Sequence, residues 1–411
     1  MIKEINVKNT KNYAEVLEEG AIDQMREAML LDCNVQGALM PDSHKGYTLP
    51  IGAVVKSLNT IFPAYVGYDI GCGVSAIKLD IKKEDINLEE LKKLIVQNVP
   101  VGRNANNKKS VLKSNQLYIN KNLKNLKIKD KLNMDKIVTQ LGTLGGGNHF
   151  LEIGEGNDGK IWIVIHSGSR CFGYQVAEYY MKEAAIENTD EERYIKEFEE
   201  KNTWKDHNPK AFEKAKQEFV YRRVRARLST NIEGHYGLSL DSKRGKDYLN
   251  DMNIALEFAL ENRKRMIYRI VELIGNPKEL YFINRNHNHA EIVESNYVIH
   301  RKGATHAEKG MDGVIPGNMK DGSFIVKGKG NNDSLNSSSH GAGRVLSRMK
   351  AKSLLDYDEF HNLMKGIVTN HTKSTLDESP LAYKNIFEVM NLQKDLVEIL
   401  DHVKPILNIK G

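Results

Sequence analysis

Cysteine is scarce in this sequence: three residues, Cys33, Cys72 and Cys171, among 411. An odd handful of thiols in so long a chain excludes a disulfide framework and leads us to expect a reducing, cytoplasmic setting. No charged-then-apolar leader opens the chain and no apolar run is long enough to cross a bilayer, so no membrane partner is expected. A large excess of one charge is missing too. The 60 Lys and Arg against 54 Asp and Glu leave a net charge of +6 and a pI near 8.8. That balance suits a polyanionic partner such as RNA without specifying one. A dinucleotide fingerprint is also absent, because the glycines at 142–147 do not follow the Gly-x-Gly-x-x-Gly pattern that opens a helix after a strand. What remains is a globular composition, 40% hydrophobic and 28% charged, long enough for a large core with insertions.

The chain is organised around Val66-Gly67-Tyr68-Asp69-Ile70-Gly71-Cys72-Gly73-Val74. Its glycines make a tight loop that presents Asp69 and Cys72, and a carboxylate and a thiolate three residues apart can ligate one cation, the thiolate also bridging two. A turn with a small buried cysteine is the competing reading. Upstream, Ile2–Val7 reads as a strand and Glu15–Met29 as a helix, followed by Met40-Pro41-Asp42-Ser43-His44-Lys45-Gly46, where Asp42 and His44 flank a turn as a carboxylate–imidazole pair or a simple hydrogen-bonded turn. Lysines crowd 103–136, either as a solvated face or as an RNA groove.

Further along, Gly142–Gly147 delivers Asn148, His149 and Glu152, and the strand Ile161–Ile165 runs into His166-Ser167-Gly168-Ser169-Arg170. Tyr174–Glu187, Pro209–Leu228 and Lys246–Leu273 read as helices. Arg222, Arg223, Arg225 and Arg227 on the second, and Asn262-Arg263-Lys264-Arg265 on the third, line an RNA path or solvate the helices. Strands return with Tyr281–Ile283, and Asn286-His287-Asn288-His289 follows. Ser339-His340-Gly341-Ala342-Gly343-Arg344 then precedes a helix expected after Val345, a placement suited to an anion. Leu354–Val368 and Phe387–Val403 read as helices of the tail.

Together these segments supply a carboxylate, a cysteine and several histidines on glycine- or serine-rich loops, the make-up of a metal site assembled from distant pieces. Neutral imidazole is also a nucleophile, and one that attacks an activated phosphate forms a phosphoramidate.

In these motifs the chain resembles the RtcB family of RNA ligases. The matching runs are Met40–Gly46, Val66–Gly73, Gly142–Phe150, His166–Arg170, Arg301–Ala304, Ser339–Arg344, Ala382–Lys384 and Lys410-Gly411, in the family's order. The resemblance implies an α+β fold: one catalytic unit over 1–411 on mixed β-sheets with flanking helices and a helical insertion at 175–275. It implies GTP- and manganese-dependent joining of RNA 2′,3′-cyclic phosphate or 3′-phosphate ends to 5′-hydroxyl ends, in tRNA splicing or RNA repair. GMP would be carried covalently on His340. Two Mn2+ would be held by Asp69, Cys72 and His149 and by Cys72, His166 and His287.

The nucleotide pocket would comprise Asn148, Glu152, Pro316, Gly317, Asn318, Ser323, Gly341, Ala342, Gly343, Tyr383 and Lys410. Arg170 and Arg344 would face phosphates through their guanidinium forks, with Asp42, His44 and Asn288 as supporting or phosphate contacts. The family's activating protein, archease, is a further partner the resemblance raises. Two departures stand out: Asn318 where the family usually has serine, and Asn286 where some members carry histidine. The Cys/His/His set taken alone suggests zinc, whereas the resemblance implies manganese, whose open positions accept phosphate and water. The competing readings are a metal-dependent phosphoesterase and a non-catalytic RNA-repair binding protein.

Overall fold

Runs rich in Val and Ile build the larger of the two main sheets. The computed structural model describes residues 4–189, 191–205, 207–230 and 232–411, with side chains except at 227–230. Across the larger sheet the strands run Asp312–Pro316, Ser323–Gly328, Val397–Lys410, Phe150–Glu155, Ile161–Ser167, Gly73–Leu79 and Glu279–Asn286, each antiparallel to its neighbour. Val368–Thr369 joins the long strand in parallel. A hydrogen bond from the Tyr281 hydroxyl to the Asp312 carboxylate links the outermost strands, so the sheet is curled almost closed. One face packs Val74, Phe150, Trp162, Ile283, Ile325 and Val403. The other packs Ile77, Ile153 and Ile163 against Ile95, Met266 and Ile270 of two helices. Covered on both faces, Ile161–Ser167 is buried at every residue, which is why its first five residues, Ile161–Ile165, read as an unbroken apolar run.

The smaller sheet runs Thr10–Asn12, Asn34–His44, Ile51–Leu58, Tyr297–Lys302 and Asn288–Val293, with the helix Glu19–Met29 packed on one face through Ile22, Met25 and Met29. The chain leaves the large sheet after Asn286 and enters the small one at Asn288, so His287 stands at the crossing. Register then gathers the other candidate ligands. Gly73 pairs with both Ser167 and Asn286, and Phe150 pairs with His166. Cys72, His149, His166 and His287 therefore lie within one residue of a single row at one end of the sheet.

The helix Lys243–Leu273 backs this row. Its 31 residues span about 46 Å at 1.5 Å per residue, and Ser242 caps it by accepting from the Gly245 amide. Arg263 on this helix is fully buried, and among the described residues no carboxylate lies within ion-pair distance of it. Its fork instead donates to Ser75 Oγ (2.9 Å), Gly71 O (2.9 Å), Ser167 O (2.7 Å), Asn284 Oδ1 (2.8 Å) and Asn286 Oδ1 (2.8 Å). Gly71, Ser167 and Asn286 each adjoin one of Cys72, His166 and His287. Asn262 holds the 142–144 loop in the same way, accepting from the Gly142 and Thr143 amides and donating to Thr143 O.

Several expectations are corrected. The tail is not helical to Val403: Val397–Lys410 is the longest strand, because Val403, Leu407 and Ile409 bury against neighbouring strands that local sequence does not reveal. Residues 4–7 form no strand, residues 2 and 3 lie outside the described residues, and the edge strand is Thr10–Asn12. His340 does not sit at a helix N-terminus. It follows the strand Ser337–Ser339, and the next helix, Arg348–Leu354, is capped by Ser347. The run read as an RNA path or a solvating face includes the buried Arg263, and Arg265 bonds Glu261 and Asn115. The helices Arg170–Glu187, Pro209–Thr230 and Lys243–Leu273 fall where expected, while Glu191–Lys201 was unforeseen. Arg222 and Arg223 pair with Glu218 and Glu197, and the Arg227 side chain lies outside the described residues. No described helix is long and apolar enough to cross a membrane.

Arg263→Met leaves several buried acceptors without donors, each costing about 1–3 kcal/mol. Urea unfolding should show a loss of at least about 3 kcal/mol. A midpoint within error of the parent would mean that the guanidinium holds nothing.

Candidate metal centre and adjoining cavity

At the end of the large sheet the Cys72 sulfur lies 3.2 Å from His166 Nε2 and 3.5 Å from His149 Nε2. His166 Nε2 lies 3.2 Å from His287 Nε2, and His149 Nε2 lies 3.0 Å from Asp69 Oδ2. Ligand atoms of Cys72, His166 and His287, and of Asp69, Cys72 and His149, fall within 4.8 Å of one another, with Cys72 common to both groups. His149 Nδ1 lies 3.0 Å from Leu144 O and 3.2 Å from Arg170 Nη1, contacts that hold the ring with Nε2 toward the cluster.

Burial, with Asp69 alongside, raises the Cys72 thiol well above its usual value. Burial lowers His166 and His287 well below theirs, with the neighbouring imidazoles adding to the effect. The thiol therefore stays protonated without a cation, while the imidazoles are already neutral, as ligation requires. The donor set of one carboxylate, one sulfur and three nitrogens fits two divalent ions sharing the thiolate.

His340 adjoins this cluster, its ring centroid 4.7 Å from that of His287. Its Nδ1 stands 2.6 Å from Asp42 Oδ2, off the line of an ideal hydrogen bond. The same oxygen accepts from the backbone amides of His340 (3.2 Å) and Gly341 (3.3 Å). Burial pushes the Asp42 carboxyl up, but His340 outweighs it and the net shift is downward. Of the two readings of Asp42 and His44, the carboxylate–imidazole pair does not form. His44 Nδ1 binds the Asp42 backbone oxygen, both residues lie in the strand Asn34–His44, and the imidazole facing the carboxylate belongs to His340. Gly343 adopts φ +74°, and a Cβ there would meet Asp42 O at 2.3 Å, so only glycine lets this loop close on the strand.

A cavity of about 420 Å3 opens onto Asp69, Cys72, His166, His287 and His340 together. Its walls include Asn148, Glu152, Pro316, Gly317, Asn318 and Gly341 to Arg344, with His44, Asn288, Tyr383 and Lys410. Glu152 is fully buried. Its Oε1 has no partner among the described residues, and its Oε2 receives only a long bond from Asn408 (3.5 Å), whose own Oδ1 is unpartnered. Burial pushes the Glu152 carboxyl up to about 8.

Three expected residues sit differently. Ser323 is buried behind the wall. Arg170 lies behind His149, with Nη1 3.2 Å from its Nδ1. The Asn318 amide closes its own turn, accepting from the Lys320 and Asp321 amides and donating to the Asp321 carboxylate.

Sequence reasoning missed Glu378. It joins Lys410 (2.6 Å), Tyr383 (2.6 Å), Arg348 (2.6 Å) and Arg344 (3.3 Å) in one ionic network, and the surrounding cations outweigh burial to hold its carboxyl down at about 2. Asp377-Glu378 stood in the sequence between the two helices expected in the tail, but nothing local tied it to Lys410. Arg348 and Asn408, also on the cavity wall, were missed for the same reason.

Residues 24–411 match the family model described as tRNA-splicing ligase RtcB. The chain is 32% identical to an RNA-splicing ligase RtcB of Escherichia coli K12, over 91% of this chain and 90% of that protein. It is 29% identical to a tRNA-splicing ligase RtcB of Nanoarchaeum equitans, over 98% and 94%. A tRNA-splicing ligase RtcB of Thermococcus kodakarensis is 25% identical, over 93% and 89%.

Because Cys72 belongs to both ligand groups, Cys72→Ser should weaken divalent-metal binding at both, at least tenfold by equilibrium dialysis. Full occupancy in the serine variant would make Cys72 a packing residue.

Proposed function

Because the chain belongs to the RtcB family, we propose that it is a GTP- and manganese-dependent ligase. It joins RNA 3′-phosphate or 2′,3′-cyclic phosphate ends to 5′-hydroxyl ends through GMP carried on His340. Residues 1–411 act as one ligase domain, with 175–275 as a helical insertion. The observation that carries this reading is the placing of His340, braced by Asp42, in one cavity with the cluster centred on Cys72.

Asp69, Cys72 and His149 would hold one Mn2+, and Cys72, His166 and His287 the other. Bound there, the ions would neutralise phosphate charge and leave positions open to oxygen ligands. Asp42 keeps the proton on Nδ1 of His340, so the Nε2 lone pair is the nucleophile. Nε2 attacks the α-phosphorus of GTP. An N–P bond forms, the bond to the bridging oxygen breaks, and pyrophosphate leaves. An RNA 3′-phosphate oxygen then displaces the imidazole and takes GMP. The 5′-hydroxyl attacks the 3′-phosphorus in turn and expels GMP. Cyclic ends are first hydrolysed to the 3′-phosphate.

The preference for guanine rests on Glu152 and Asn408. Their unpartnered Oε1 and Oδ1 are two buried acceptors on one wall. The guanine edge offers donors at N1 and N2, whereas adenine offers one amino group beside an acceptor. The Asn318 side chain, bonded within its own turn, is poorly placed to read the base.

With α-labelled GTP and Mn2+ the protein should become labelled, and RNA with a 3′-phosphate and a 5′-hydroxyl should be sealed. His340→Ala should abolish the label while keeping its metal. Labelling of that variant would overturn the assignment, and phosphate release without joining would favour a phosphoesterase.

Glu152 adds a pH test. Its carboxyl, pushed up to about 8, holds a proton at pH 7 in the free protein. Guanine donors favour the carboxylate, so GTP binding should release protons and tighten as pH rises toward 8, by at most about tenfold per unit. Calorimetry in buffers of different ionisation enthalpy measures the release. Glu152→Gln should abolish it, and equal heats for the parent protein in all buffers would contradict the account.

A further inference from the structure

A second imidazole cluster stands apart from the catalytic cavity. His289 is 3% exposed, and its Nε2 lies 2.8 Å from Nε2 of His306. Glu291, on the same strand as His289, places a carboxylate oxygen within 4.8 Å of ligand atoms of both. All three line an open cleft of about 540 Å3 with Arg285, Asn286 and Met311.

The proton positions make this contact informative. Glu308 Oε1 lies 3.0 Å from His306 Nδ1 and can only accept there, so Nδ1 carries the proton and Nε2 of the neutral ring is a lone pair. Arg301 Nη1 lies 3.3 Å from His289 Nε2 and can only donate, so that nitrogen is a lone pair as well. Two lone pairs therefore face each other at 2.8 Å, an arrangement that a shared cation relieves. An extra proton would relieve it only by placing an imidazolium beside the buried guanidinium of Arg301, which already pairs with Glu291. Two nitrogens each 2.0–2.1 Å from one tetrahedral ion stand about 3.3 Å from each other, so an ion would enter with a separation of the rings by about half an ångström from the observed 2.8 Å. The carboxylate on Nδ1 of His306 is the usual outer partner of a metal-bound imidazole. Two carboxylates, Glu291 and Glu308, offset the two guanidiniums of Arg301 and Arg285, so the cluster is neutral before an ion enters.

We propose that His289, Glu291 and His306 form a third divalent-cation site, separate from the catalytic centre. Two imidazoles and a carboxylate select zinc over manganese, by ligand type and by the general affinity order. The site ties the strand Asn288–Val293, which follows His287, to Ala304–His306, which pairs with Ser337–Ser339 just before His340. An ion there clamps together the segments that carry a catalytic-centre imidazole and the nucleophile.

The test is zinc counting on the full chain. The parent, His306→Ser and Glu291→Gln are stripped with chelator, dialysed against micromolar Zn2+ and analysed by mass spectrometry. The parent should hold one zinc per chain more than His306→Ser, and Glu291→Gln should bind that zinc at least tenfold more weakly. Zinc should raise the parent's Tm by more than that of either variant, and all three should melt alike in chelator. Equal zinc counts and equal zinc-induced shifts across the three proteins would overturn the site. Should His306→Ser fail to fold, Glu291→Gln decides alone: weakened binding supports the site and unchanged binding removes it.

Discussion

A single buried sulfur sets the terms for this structure. Cys72 is 2% exposed and stands at the meeting point of two ligand groups, where burial and Asp69 oppose its ionisation. Only cations placed against it make the thiolate favourable, and the surrounding architecture serves that placement. Three strands of the large sheet and the loop ahead of a fourth end at one level to bring the imidazoles in. Arg263 holds the residues beside Cys72, His166 and His287 through a fork of hydrogen bonds. Its positive charge also favours the thiolate, against the effect of Asp69.

The cavity next to this centre is electrostatically prepared in a different way. Arg344, Arg348 and Lys410 are not free cations but are fixed by Glu378, with Arg348 also on Asp377. Held by partners whose charge is already committed, they present set positions to an anionic ligand and need little reorganisation when it arrives. Glu152 on the same wall is the reverse case, a carboxyl with too few partners that holds its proton until a ligand supplies donors.

How much of this was legible in the sequence depended on distance along the chain. Asp69 and Cys72 were readable because both sit in one glycine-framed loop, and His166 because it ends an apolar run. The convergence of His149, His166 and His287 was legible only through the order of motifs that the family resemblance supplied, since strand register is a long-range property. The Asp42–His340 contact spans 298 residues, so local sequence offered only the nearer His44 as a candidate imidazole for Asp42. The C-terminal strand was misread because its apolar spacing satisfies helix and strand alike until its neighbours are known. Arg263 was hidden in a basic run in which Asn262 is buried too while Lys264 and Arg265 are only half-buried, a difference that leaves no local mark in the sequence.

The account's central claim is that one thiolate is shared between two ions. Electron paramagnetic resonance of the protein loaded with two equivalents of Mn2+ tests it most directly. A shared sulfur predicts an exchange-coupled spectrum that collapses to isolated-ion signals in Cys72→Ser. Isolated six-line spectra from the fully loaded parent protein would contradict it.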